Sequence, residues 1–112
     1  MRSDITAADV LLPVEYCVMD MMQRVRLIIR GRVQGVYYRT HTEKAATRLG
    51  LCGWVRNCDN GTVEVLVEGS DTRLEAFIAW CHQGSPTARV DRLEVSEETD
   101  EVALASGFGI VF

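Results

Sequence analysis

Hydrophobic spacing in this chain switches period repeatedly, and the order of the switches leaves few folds open. Val25, Leu27 and Ile29 alternate with Arg26, Ile28 and Arg30, the period of two of a first strand that begins near Arg24. Thr42, Ala45, Ala46 and Leu49 then recur at helical spacing, with Gly50 placed as a C-terminal cap. A second strand covers roughly Cys52 to Cys58. Asp59-Asn60-Gly61 signals a hairpin, because Asn-Gly tolerates the positive backbone angles of a tight turn, and Val63, Val65 and Val67 alternate with Glu64, Leu66 and Glu68 in a third strand. Leu74, Phe77, Ile78 and Cys81 mark a second helix, with Ser70 or Asp71 as its N-cap and an end near Gly84, before Pro86. A fourth strand follows around Ala88 to Val95. The acidic run Glu97-Glu98-Thr99-Asp100-Glu101 reads as a solvated loop, and Phe108, Ile110 and Phe112 alternate in a short last strand. The expected architecture is α+β: a ferredoxin-like β-α-β-β-α-β sandwich, an antiparallel sheet with two helices on one face plus a short C-terminal strand.

The first strand-to-helix junction is where chemistry is expected. In Arg30-Gly31-Arg32-Val33-Gln34-Gly35-Val36-Tyr37-Tyr38-Arg39, two glycines let the backbone turn tightly, so that successive N–H groups can face one anion. The helix N-terminus behind them adds free donors and the positive end of a dipole. Arg39 can supply a planar fork matched to phosphate oxygens. Strands one and two, joined by a helical crossover, run parallel and end on the same sheet edge, so Arg39 can meet Asn57 at the close of the second strand. On spacing alone, a plain connection at the glycines and a turn-former at Asn57 stay open.

Gly31 to Arg39 closely resembles the signature loop of the acylphosphatases. A second match lies at Gly53-Trp54-Val55-Arg56-Asn57, followed by Asp59-Asn60-Gly61-Thr62-Val63-Glu64. The resemblance covers roughly residues 24 to 112. It implies a metal-independent hydrolase that needs no cofactor and splits small-molecule acyl phosphates into carboxylate and inorganic phosphate. By position, Arg39 and the loop residues Val33, Gln34, Gly35, Val36, Tyr37 and Tyr38 bind the phosphate, and Asn57 orients the attacking water. Tyr37 and Tyr38 stand where the family commonly shows a variable residue and then Phe, a departure that brings phenols within reach of the leaving acyl group. No Walker lysine, acid cluster for magnesium or Ser/His/Asp set accompanies the loop, and His41 and His82 read as helix-surface residues.

The formal net charge of −4 argues against a nucleic-acid binder. It conceals an asymmetry: residues 24 to 48 carry seven Lys or Arg against Glu43 alone, and residues 49 to 112 carry four Arg against eleven acids. The basic stretch brackets the glycine loop. Residues 1 to 22 read as an N-terminal extension, disordered or preceding the true start, and residues 23 to 112 as the domain. The apolar run Val10-Leu11-Leu12 is too short for a signal peptide core of about 7 to 15 residues or a membrane span of about 20. Cys17, Cys52, Cys58 and Cys81 form no Cys-x-x-Cys pair, and with no secretory signal pattern they read as reduced thiols in a cytoplasmic protein, expected to be a monomer; for Cys58 structural packing is favoured over a redox role. Two other classes remain at this point. A non-catalytic anion-binding module would not need Asn57, and an RNA binder would need sheet aromatics that are missing here.

Overall fold

The first strand, β1 (Met22–Arg32), sends Val25, Leu27 and Ile29 to one face, where all three are buried. In the computed structural model, which describes residues 22–99 and 102–112, it is followed by α1 (Tyr38–Arg48), β2 (Cys52–Asn57), β3 (Val63–Ser70), α2 (Asp71–Gln83), β4 (Arg89–Glu97) and β5 (Phe108–Ile110). The expected extension, residues 1 to 22, lies outside the described residues except for Met22, which already belongs to β1 opposite Ser70; Cys17, Asp100 and Glu101 also lie outside them.

The strands form one sheet in the order β4-β1-β3-β2-β5. The four longer strands are antiparallel to their neighbours, and β5 joins β2 in parallel, with Val55 opposite Ile110. Both helices bury their apolar stripes against one face of this sheet. Leu27, Val65 and Val55 on the strands, Ala45 and Ala46 on α1, and Leu74, Phe77 and Cys81 on α2 are all buried. Alanines on α1 bring its backbone close to the sheet.

The local signals act as expected at three places. Gly50, at φ +71°, ends α1 in a Schellman arrangement: Leu51 N–H donates to the Ala46 carbonyl and Gly50 N–H to that of Thr47. Ser70 caps α2, its Oγ accepting from Arg73 N–H at 3.4 Å. Gly61 closes the β2–β3 hairpin with φ +90°. Here the detail differs from a two-residue Asn-Gly turn. Gly61 N–H donates to Cys58 O and Cys58 N–H to Thr62 O, so three residues intervene and Gly61 alone takes the positive angle. Asn60 serves through its side chain, whose Oδ1 accepts from Thr62 N–H at 3.1 Å and Thr62 Oγ1 at 2.7 Å.

Two expectations need correction. The acidic run is not simply a solvated loop: Glu97 ends β4, Glu98 N–H donates to the Arg24 carbonyl, and the Glu98 carboxylate takes Arg26 at 2.8 Å. The last strand stops at Ile110, and Phe112 is 98% exposed instead of pointing inward.

The face without helices is closed by its own charges. Glu64, only 7% exposed, accepts from Arg56 at 2.7 Å and from Arg26, while Arg24 pairs with Glu68 at 2.7 Å. Leu66 is buried between Arg26 and Trp54, its cross-strand neighbours. A base-stacking platform needs exposed sheet aromatics, and among the described residues this face offers Trp54 alone, half-buried and with Arg56 against it.

Candidate active site

The loop after β1 is pinned from three directions. Val33 and Val36 are buried in the core, which anchors the backbone on either side of Gly35. The buried Ser85 hydroxyl, from the turn after α2, donates to the Val36 carbonyl at 2.8 Å. Gln34 turns its side chain toward the β2–β3 hairpin, where Nε2 donates to Cys58 O at 2.8 Å and Thr62 O at 2.9 Å. Gly35 adopts φ +77°, the left-handed conformation that glycine takes without a Cβ penalty.

Tyr37 is the N-cap of α1 and also left-handed, at φ 62° and ψ 25°. For a non-glycine residue that conformation costs about 1–2 kcal/mol. Such positions concentrate at functional sites. No side chain caps the helix, and no acid lies in its first turn. The first-turn N–H groups therefore keep their donors and dipole for an anion.

Arg39, half-buried in this first turn, has no carboxylate partner among the described residues. The Phe112 ring, itself almost fully exposed, lies with its centroid 5.0 Å from the guanidinium carbon, a contact that leaves the charge in place. Across the gap, Asn57 ends β2. Its Oδ1 is shielded from solvent and, like Asp71 Oδ1, has no hydrogen-bond partner among the described residues. Buried polar atoms are nearly always paired, so the Asn57 amide is not tied down by the protein around it.

These groups share one concavity of about 280 Å³, lined by Val33, Gly35, Tyr37, Tyr38, Arg39, Thr40 and Asn57. The sheet order explains the meeting. β1 and β2 flank β3, each antiparallel to it, so their C-terminal ends fall on the same edge. Of the sequence-selected residues, Gln34 and Val36 do not line the concavity, their side chains being committed to the hairpin and the core.

The two tyrosines separate. Tyr37 is 77% exposed at the rim, whereas Tyr38 is 1% exposed and cannot reach a leaving group through its phenol. Its hydroxyl instead donates to the Cys81 carbonyl at 2.7 Å, tying α1 to the last turn of α2. Burial pushes the Tyr38 phenol well above the usual range, which keeps it a donor. Burial likewise pushes the Cys81 thiol up to about 12. Cys52, Cys58 and Cys81 are free thiols. Sequence reasoning missed Thr40, although an adjacent first-turn residue should have been included with Arg39. It also missed Ser85, which lies 49 residues from its partner and had no local signal.

An acylphosphatase family model matches residues 25–110. The chain belongs to the acylphosphatase family. An acylphosphatase of Syntrophus aciditrophicus is 51% identical over 79 residues, covering 70% of this chain and 82% of the relative. One of Thermococcus kodakarensis is 52% identical over 82 residues, covering 71% and 90%. The crystal structure of acylphosphatase from Bacillus subtilis superposes with a TM-score of 0.76 at 37% identity, covering 82% of this chain and all of that one. The family's span thus includes the glycine loop, Arg39 and Asn57, and the two helices on a sheet are its fold.

Proposed function

We propose that the chain hydrolyses the carboxyl–phosphate bond of acyl phosphates without a metal. Membership of the acylphosphatase family supports the reaction class, and the geometry supports the roles. The phosphoryl group occupies the concavity, held by loop and first-turn N–H groups and by the Arg39 fork. Asn57 accepts a hydrogen bond from the nucleophilic water and aims its lone pair at phosphorus. The water oxygen bonds to phosphorus, the bond to the acyl oxygen breaks with its electron pair, and the products are carboxylate and inorganic phosphate. The water proton passes to the phosphate oxygens.

A carboxylate is a good leaving group, so positioning and charge stabilisation can carry the reaction. The developing charge on the equatorial oxygens meets donors already fixed in place. The observation that carries this reading is that Asn57, at the end of β2, and Arg39, in the first turn of α1, line one concavity with the glycine loop. The reading goes with a monomeric, cytoplasmic protein.

The test is phosphate release from acetyl phosphate and benzoyl phosphate, with and without EDTA. Turnover should survive the chelator, and inorganic phosphate should inhibit competitively. Arg39→Ala should lose about 10²-fold or more in kcat/KM and weaken phosphate inhibition. Lys should rescue little, since a point charge cannot reproduce the fork. Asn57→Ala should collapse kcat with the phosphate inhibition constant changed less than about tenfold. Magnesium-dependent activity would overturn the metal-free mechanism, and near-normal kcat in Asn57→Ala would remove Asn57 from the reaction.

A further inference from the structure

β1 parts from β3 before the loop begins. Their pairing ends at Ile29 opposite Val63, while β1 continues against β4 as far as Arg32 opposite Arg89. A bulge between Arg30 and Gly31 accompanies this change of partner. Sheet pairing therefore does not set the distance between the phosphate loop and the hairpin carrying Asn57.

Gln34 bridges that gap. Its Nε2 has two hydrogens, and both are used: one on Cys58 O at 2.8 Å, the other on Thr62 O at 2.9 Å. Those carbonyls belong to the residues that close the hairpin, where Cys58 N–H already donates to Thr62 O at 2.8 Å. Cys58 is bonded directly to Asn57. Among the described residues, no other hydrogen bond joins residues 33–37 to residues 57–62.

We propose that Gln34 is a positioning residue that fixes Asn57 relative to the phosphate loop and so acts on the rate of attack, not on phosphate binding. The proposal rests on the reading that Asn57 orients the water. A side chain without donors leaves the hairpin attached through β3 but free to shift against the loop. A displacement on the order of 1 Å at a reacting group can cost about 10²-fold. The phosphate donors lie on the loop and α1, which buried Val33 and Val36 and the Ser85 hydroxyl continue to hold without the bridge.

The experiment uses the full chain with Gln34→Met, which keeps length and volume without donors, Gln34→Ala, Asn57→Ala and the double variant Gln34→Met/Asn57→Ala. Folding is verified by circular dichroism. With benzoyl phosphate as substrate, Gln34→Met and Gln34→Ala should lower kcat about 10- to 100-fold, with KM and the inhibition constant of inorganic phosphate changed less than about threefold. The double variant should be no slower than Asn57→Ala alone, because Gln34 acts through the group already removed.

Wild-type kcat in both Gln34 variants overturns the proposal, as does a parallel loss of kcat and phosphate affinity, which would make Gln34 a phosphate-site residue. Losses that multiply in the double variant also overturn it, since Gln34 would then act independently of Asn57. If Asn57→Ala keeps its kcat, the water-orienting reading falls and the latch with it. If Asn57→Ala collapses while Gln34→Met is normal, the latch alone falls.

Discussion

Gly53 and Gly35 belong to the two family-matched stretches, yet alanine should affect them very differently. Gly53 sits within β2 at φ +143°, and a Cβ there would stand 1.9 Å from the Leu66 carbonyl oxygen and 2.9 Å from both the Leu66 carbonyl carbon and Val67 Cα. Those atoms are backbone of β3 and cannot rotate away. β2 must separate locally from β3 by about 1 Å to restore a tolerable contact. Backbone strain of about 1–3 kcal/mol adds to about 1 kcal/mol for each weakened ladder bond. With about two ladder bonds weakened the sum is about 3–5 kcal/mol, a large part of the roughly 5–15 kcal/mol typical of a whole domain. Gly35 also has a positive φ, +77°, but its added Cβ meets nothing within 4 Å. Only the left-handed strain remains, about 1–2 kcal/mol. Urea unfolding followed by circular dichroism should rank wild type above Gly35→Ala above Gly53→Ala. Thermal midpoints should fall by about 4–8 °C per kcal/mol for a chain of this size. A Gly53→Ala protein as stable as Gly35→Ala would refute the argument that close approach of β3 is what requires glycine at that position.

Alkaline solution should destabilise the fold from the Cys81 and Tyr38 side. Burial raises both groups, Cys81 to about 12. The unfolded chain therefore releases these protons first, above about pH 8.5 for the thiol and 10 for the phenol, and stability falls with rising pH by about 1.4 kcal/mol per unit for each group in its window. Urea midpoints between pH 7 and 11 test this, and Tyr38→Phe should remove the phenol's share. Native Cys81 should react with a thiol reagent only as fast as the protein opens, while the half-buried Cys52 and Cys58 react sooner; equal labelling rates at all three sites would contradict the burial argument. Glu64→Ala should cost about 1–2 kcal/mol and not the 3–5 of a fully buried broken pair, because the Arg26 and Arg56 side chains retain 31% and 48% exposure and Arg26 keeps Glu98. A loss above about 3 kcal/mol in urea would contradict that solvation argument.

The fold was legible where one residue type carried one local meaning. Val25-Leu27-Ile29 and Val63-Val65-Val67, each read at alternate positions, could bury a common face only as strands, and Gly50 and Ser70 marked helix ends by capping chemistry. Reading failed where a distant partner changed the meaning. Glu98 looked solvated because its acid neighbours dominate the run, but the Arg26 it meets lies 72 residues away. Phe112 continued an alternation that β5 does not sustain. Tyr38 was legible as part of the signature, but its burial against Cys81 depends on where α2 ends. The site divides in the same way. Arg39 and Asn57 were picked out by the motifs and brought together by the shared direction of strands one and two, whereas the attachments of the loop to Ser85 and the hairpin are tertiary and have no period to betray them.

Those attachments explain how a site can be built across three strands. β1 and β2 are separated by β3, so their ends lie two strand spacings apart, about 10 Å. Side chains at the two strand ends can line one concavity only if one end bends toward the other. The loop supplies the bend. β1 leaves β3 after Ile29, the backbone reverses through Gly35 and the left-handed Tyr37, and α1 begins with its free N–H groups and Arg39 at the concavity. β3, which enters the sheet from the hairpin at Val63, leaves the space above its first residues to that loop. A turn bent this far against its own preferences would drift if it depended on glycine alone, since glycine permits a conformation without enforcing it. The enforcement comes from buried Val33 and Val36 and from Ser85, while Gln34 ties the loop to the hairpin. On the proposed reading, rigidity of the phosphate cradle and reach toward Asn57 thus have separate structural causes, and kinetic constants that respond to one need not respond to the other.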